Sequence, residues 1–154
     1  MGIKFLAGAA CAAIVLGSGS VGASSATYYF ALVPATSTGT DSGVAFTAGQ
    51  KVKVKASGYA TIFDAEPLPT CPSSNYCWSS PAGFGSTDSQ DTDPSCAPYS
   101  LIGYIAGSTT SHCLGKGGGF TADATGDLIL LMNDETCCYS DNGGDYAVLV
   151  EPPK

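Results

Sequence analysis

The five residues Lys51-Val52-Lys53-Val54-Lys55 alternate ammonium and branched hydrocarbon without a break. A period of two is the repeat of a β-strand, so three lysines fall on one face and two valines on the other. The lysines read as the solvated face or protected edge of a half-buried strand. Short apolar or alternating runs recur at 28–33, 44–46, 50–55, 59–63, 101–106, 127–132 and 146–150, separated by Gly, Pro, Asp and Asn. Many short strands with turn signals between them predict an all-β chain, folded as a single β-sandwich or barrel. After the first 23 residues no stretch carries a convincing helical period.

Those first residues have a different design. Lys4 is followed by an apolar run from Phe5 to Leu16 and by the small-residue exit Val21-Gly22-Ala23. A basic start, an apolar middle too short to span a bilayer and small residues at the end form a secretory signal. The expectation is a signal peptide at 1–23 and an exported domain at 24–154 with no membrane span. Cleavage there removes Cys11 and leaves an even set: Cys71, Cys77, Cys96, Cys113, Cys137 and Cys138. In an exported chain such a set favours three disulfides over free thiols. Six cysteines allow 15 pairings, and the sequence does not choose among them. Cys137 and Cys138 can bond to each other, but the expectation is that each staples its loop to a different partner. With no CxxC and His112 as the single histidine, a structural zinc site is not expected.

The charge balance, Lys+Arg 6 against Asp+Glu 13 with no arginine, gives a formal net charge of -7. It argues against nucleic acid, whose phosphates need a basic patch and whose bases are read best by arginine. Between 64 and 99, six prolines are interspersed with Cys71, Cys77 and Cys96 and with Asp88, Asp91 and Asp93. Prolines cannot donate to a ladder, so 64–99 reads as a long Pro/Cys-rich loop insert held by disulfides. Trp78, the single tryptophan, lies within it; the plainer reading is a cover over a disulfide and the sharper one a stacking platform for a sugar ring. Gly117-Gly118-Gly119 reads as a turn before a strand at Phe120.

The most informative stretch is 128–150. A buried run, Leu128 to Met132, leads into Asn133-Asp134-Glu135-Thr136-Cys137-Cys138-Tyr139-Ser140-Asp141-Asn142-Gly143-Gly144, and an alternating run leads out. The expected arrangement is an antiparallel hairpin with Asp134 on one shoulder and Asp141-Asn142 on the other. Two carboxylates, an amide oxygen and backbone carbonyls form a hard-oxygen set that suits Ca²⁺. The same residues also make a turn unaided, because Asn and Gly tolerate positive φ.

Three segments taken together resemble a known family. They are Gly49-Gln50-Lys51-Val52-Lys53-Val54-Lys55-Ala56-Ser57-Gly58-Tyr59, then Leu101-Ile102-Gly103, then Leu128 to Leu131 running into Asn133-Asp134 and Asp141-Asn142-Gly143-Gly144. The pattern looks like the bacterial galactophilic PA-I-type lectins, small sandwiches of the galactose-binding-domain (jelly-roll) kind in which one Ca²⁺ bridges protein and sugar. The resemblance implies metal ligands at Asp134, Asp141 and Asn142 and at the main-chain carbonyls of Cys138 and Ile62. It implies that Asp134 and Asp141 accept sugar hydroxyls. Asp141 stands where the family has an asparagine, Cys138 where it has a threonine and Ile62 where it has a tyrosine. The family's sugar-binding His and Gln have no counterpart that can be placed here, so galactose specificity does not carry over.

The expectation is therefore a secreted, calcium-dependent, lectin-like carbohydrate-binding protein, with self-association as its route to tighter binding. The alternative is a disulfide-stabilised effector or toxin-like protein-binding domain whose acids only shape a turn. An enzyme is not expected: no GxSxG occurs, His112 is the only candidate base, and Glu66, Glu135 and Glu151 stand in no recognisable catalytic context.

Overall fold

The computed structural model describes residues 27–63, 76–85 and 87–154. The expected signal at 1–23 and Cys71 lie outside the described residues. Nine strands are present among those described: β1 (Tyr29–Pro34), β2 (Thr40–Phe46), β3 (Lys51–Phe63), β4 (Tyr76–Ser79), β5 (Leu101–Ile105), β6 (His112–Cys113), β7 (Gly119–Thr121), β8 (Gly126–Met132) and β9 (Gly143–Val150). One sheet has the order β1-β9-β3-β4, with β7 added on β3, and the other has the order β2-β8-β5-β6. All the pairings are antiparallel. The molecule is a β-sandwich.

The alternation at 51–55 does what its period dictates. Val52 and Val54 are buried while Lys51, Lys53 and Lys55 are exposed. Each buried valine contributes about 1.5–3 kcal/mol of hydrophobic free energy. The inner faces of the two sheets meet through Val33, Ile62, Tyr146 and Val148 on one side and Phe46, Ile105, Leu128, Leu130 and Met132 on the other. β5 and β8 are buried on both faces, so they read as unbroken apolar runs rather than as alternation. On their far side Ile102 and Leu131 pack with Cys96 and Tyr139 in a second, smaller core. Segment 91–99 lies over that sheet, stapled by the Cys96–Cys113 disulfide.

Three expectations need correction. β8 and β9 are not a hairpin: β8 pairs with β2 and β5, and β9 pairs with β1 and β3. Segment 133–142 therefore crosses from one sheet to the other. Each strand is central in its own sheet and already has two partners, which leaves no edge for the other to use. The 64–99 insert is not loop throughout, because Tyr76–Ser79 pairs with β3 as an edge strand. Those four residues contain no proline, and Pro81 falls outside the ladder. Finally, Cys137 and Cys138 are joined to each other rather than to separate partners. Cys77 is also disulfide-bonded.

β3 fuses two of the expected strands across Gly58, which has φ +102°. A Cβ there would come within 2.6 Å of the Asp145 carbonyl oxygen, so only glycine lets β3 lie this close to β9. The strand rises about 3.3 Å per residue, which places Lys53 about 26 Å from Thr61. Every lysine among the described residues gathers at the first end. The Lys116 carbonyl accepts from Ala56 N–H, and the Lys154 carbonyl from Gln50 Nε2. At the other end β9 begins, with Gly143 paired to Thr61.

Gly58→Ala is expected to lower stability in a urea melt by about 2–4 kcal/mol, the sum of a disfavoured φ and a backbone collision. Gly49→Ala, at φ +92° but with open space around it, should lose only about 1–2 kcal/mol. Equal losses would mean that the close approach of β3 to β9 adds nothing.

Candidate functional site

Asn133, fully buried, directly follows β8 and fastens the 91–97 segment to it. Its Oδ1 accepts the Asp93 N–H at 2.8 Å. Its Nδ2 faces the carbonyls of Asp93 (3.0 Å), Ala97 (3.2 Å) and Cys96 (3.3 Å) and Asp91 Oδ2 (3.4 Å). Its own backbone N–H donates to the Ser100 carbonyl at 2.7 Å. The next residue, Asp134, is 6% exposed. Its carbonyl accepts from both the N–H and the hydroxyl of Thr92, each at 2.9 Å. An antiparallel bridge then joins Asp91 to Glu135. Two segments far apart in sequence thus bring Asp88, Asp134 and Glu135 into electrostatic range of Asp91.

The Asp134 carboxylate accepts from Glu135 N–H at 2.8 Å and from Asn142 Nδ2 at 2.6 Å. Asn142 Nδ2 also faces the Ala35 carbonyl at 3.4 Å. Two acceptors on one side fix which end of the amide is nitrogen. The opposite end, Asn142 Oδ1, is buried with no hydrogen-bond partner. Asn142 immediately precedes Gly143, which pairs with Thr61, the neighbour of Ile62 on β3. Gly144, with φ +76°, permits the sharp entry into β9; a Cβ there would meet the Tyr59 carbonyl oxygen at 2.6 Å. Cys138 is half-buried at the start of the 3-10 turn Tyr139–Asp141, and the Asp141 side chain is exposed. The structure thus joins Asp134 to Asn142 directly, places Ile62 one residue along β3 from the Thr61–Gly143 couple, and leaves the Asp141 side chain exposed.

Trp78 is 69% exposed, while its neighbour Cys77 is buried on the inner face. It lies opposite Thr61 and is a diagonal neighbour of Tyr59, which is 64% exposed. Two aromatic rings therefore share the outer face near the end of β3 where Asn142 lies. His112 stacks on Phe120, with centroids 3.9 Å apart, and its Nε2 is buried without a partner. A cleft of about 450 Å³ lined by Lys51, Lys53, Lys55 and Gly117 to Gly119 lies at the opposite end of β3.

The carboxylates differ in how they are held. Asp93 is buried, which works to raise its pKa. Hydrogen bonds from Ser111 and from the Ser95 hydroxyl and N–H more than offset that, and hold it below the ordinary value. Asp91 lacks such a set. Burial and the neighbouring charges of Asp88, Asp134 and Glu135 push its pKa up from 3.8 to about 7. Burial likewise raises Tyr139, whose hydroxyl contacts Thr92 and donates to the Met132 carbonyl.

Asp134, the Asn142 amide and the carbonyls of the crossing offer carboxylate, amide and carbonyl oxygens, a set that could hold a hard cation. Glu135, Cys137 and Cys138 also converge, but the sulfurs form a cystine and are not thiolate ligands. Asp91, Glu135 and Asn133 are the participants that sequence reasoning missed. The acids at 88, 91 and 93 were visible, but their approach to 134–135 depends on the Asn133 hydrogen bonds.

No protein-family model matches the sequence, and no curated protein does either. Among solved structures the chain is similar to the EclA N-terminal domain, a PllA-like lectin, with a TM-score of 0.59 and 23% identity. The match covers 81% of this chain and 95% of that one. At that identity the likeness is one of fold.

Asn133→Asp keeps the side-chain shape but turns carboxylate oxygen toward three carbonyls and Asp91. It should cost about 3–5 kcal/mol in urea unfolding, more than the roughly 2–4 kcal/mol of Asn133→Ala. The reverse order would mean that Nδ2 is not the fastening group. Asp91 gives a pH signature. With its folded pKa above the unfolded value of 3.8, its contribution is full below about pH 4 and is lost as pH rises through about 7. In chelator, the melting temperature of the native chain should fall over that window relative to Asp91→Asn; parallel profiles would refute the shift.

Proposed function

We propose that this chain is an exported, calcium-dependent carbohydrate-binding protein whose site is the 133–142 crossing together with Asp91 and the end of β3. The observation that carries the reading is Asn142, whose Oδ1 is buried and unpartnered while the other end of the same amide holds the Asp134 carboxylate, itself within electrostatic range of Asp91. A buried acceptor without a donor is costly, and a cation is the partner that satisfies it and the acids together. A sandwich fold shared with a PllA-like lectin supports the same reading, as does an oxygen-only donor set. The cystines Cys96–Cys113 and Cys137–Cys138 support an oxidising destination.

Asp134, Asn142 Oδ1, Asp141 and the carbonyls of Cys138 and Ile62 would hold the ion. Bound Ca²⁺ supplies positive charge and exchangeable coordination positions that suit vicinal hydroxyls. The chain's own part is then to accept the hydroxyl protons on Asp134 and Asp141 through charge-assisted bonds. Trp78 and Tyr59 offer exposed rings for the apolar side of a saccharide. The role is binding without catalysis. A monosaccharide makes few contacts, so tight attachment calls for several sites, supplied by self-association.

Two measurements test this. Calcium at a hundredfold excess over its Kd should stabilise the fold by about 2.7 kcal/mol, visible as a rise in melting temperature that EDTA reverses. On a glycan array, binding should appear only with calcium and vanish in Asp134→Ala, whose melting temperature in EDTA stays near that of the native chain. Sugar binding that ignores EDTA, or survives Asp134→Ala, would sink the site. Absence of both calcium uptake and glycan binding would favour a protein-binding domain instead.

A further inference from the structure

The bond between Cys137 and Cys138 closes a small ring in the middle of the crossing loop. Cys137 is exposed and Cys138 half-buried, so the ring reaches the surface. The exposed residues around it, Thr136, Ser140 and Asp141, are polar. A Glu135 carboxylate oxygen lies 3.5 Å from Cys137 Sγ and 3.8 Å from Cys138 Sγ. Disulfide sulfurs carry no proton, so these are contacts and leave the carboxylate free to accept from something else. The loop thus displays a soft, polarisable, apolar plate with a hydroxyl acceptor at its edge.

That pairing is the chemistry by which a saccharide is held. One side of a pyranose is a patch of C–H groups, and its rim is a ring of hydroxyls. We propose that the Cys137–Cys138 cystine is a binding element for the C–H face of a pyranose, with Glu135 accepting a hydroxyl at the rim of the same ring. The inference rests on the carbohydrate reading above and adds to it the group that selects among sugars. A pyranose with a continuous C–H patch fits the plate; one whose axial hydroxyls interrupt every such patch does not. Cys138 then serves twice, through its carbonyl toward the cation and through its sulfur toward the sugar.

The test uses beads carrying galactose, mannose, fucose or N-acetylglucosamine, with calcium present, together with calcium titration in the absence of sugar. The native chain should be retained on at least one bead. The double variant Cys137→Ser, Cys138→Ser, measured with calcium at a concentration that saturates the variant itself so that any change at the Cys138 carbonyl does not enter, should lose about tenfold in affinity for that sugar, or about 1.4 kcal/mol. Undiminished retention would overturn the role of the cystine while leaving the carbohydrate reading intact. Loss of calcium and sugar together would also overturn it, reducing the ring to a brace. Retention of the native chain on none of the beads would overturn the carbohydrate reading first and this inference with it. A measurement on the native chain removes dependence on the variant's folding. The retained sugar should slow phosphine reduction of Cys137–Cys138, mapped by alkylation, and leave Cys96–Cys113 unaffected. Equal reduction rates with and without sugar would overturn the contact.

Discussion

The amide of Asn133 holds together what the two sheets would otherwise leave apart. It sits just past the end of β8, the strand that carries Leu128, Leu130 and Met132 into the core. From there it binds the backbone of Asp93, Cys96 and Ala97. Because the amide is fully buried, each bond replaces a hydration that cannot be recovered, so the 91–97 segment has one position that satisfies it. The bridge from Asp91 to Glu135 and the Thr92 bonds to the Asp134 carbonyl follow from that position. The acid cluster is thus assembled by an uncharged side chain.

This explains why neighbouring aspartates behave differently. Asp93 was given Ser95 and Ser111, and is a satisfied structural group. Asp91 was given carboxylates for neighbours. A fold under selection for stability alone would gain by replacing such a residue, since like charges brought together oppose folding. Asp134, one of those neighbours, holds the Asn142 amide, whose Oδ1 is buried and unpartnered. Tyr146 marks the boundary of this polar region. Its ring fills the core while its hydroxyl donates to the Tyr99 carbonyl at 2.7 Å, and burial pushes its pKa up to about 12.

Much of the sandwich could be read from local pattern. The 51–55 alternation, the apolar run at 128–132 and the alternating run at 146–150 all became strands with the expected faces, because side-chain period is a local property. What failed was connectivity. The 133–142 loop has the composition of a hairpin turn, yet β8 and β9 belong to different sheets. Composition says that a chain turns and does not say which partner waits beyond. The Tyr76–Ser79 strand was hidden by prolines on either side of it. The sequence permits the Cys137–Cys138 bond but does not select it, because pairing between neighbours depends on a loop geometry that spacing does not encode. Asp134 and Asn142 were legible as a pair, and the structure joins them at 2.6 Å. Asp91 was not, since it reaches the loop only through tertiary contacts.

The length of β3 has one more effect. At physiological ionic strength the Debye length is about 8 Å, and the lysine end of the strand lies about three such lengths from its Thr61 end. The lysines therefore cannot relieve the crowding around Asp91 and Asp134, however the formal charge of -7 is totalled. Each end meets its surroundings as if the other were absent. Raising salt weakens attraction of anions to one end and of cations to the other, so a single isoelectric point describes neither.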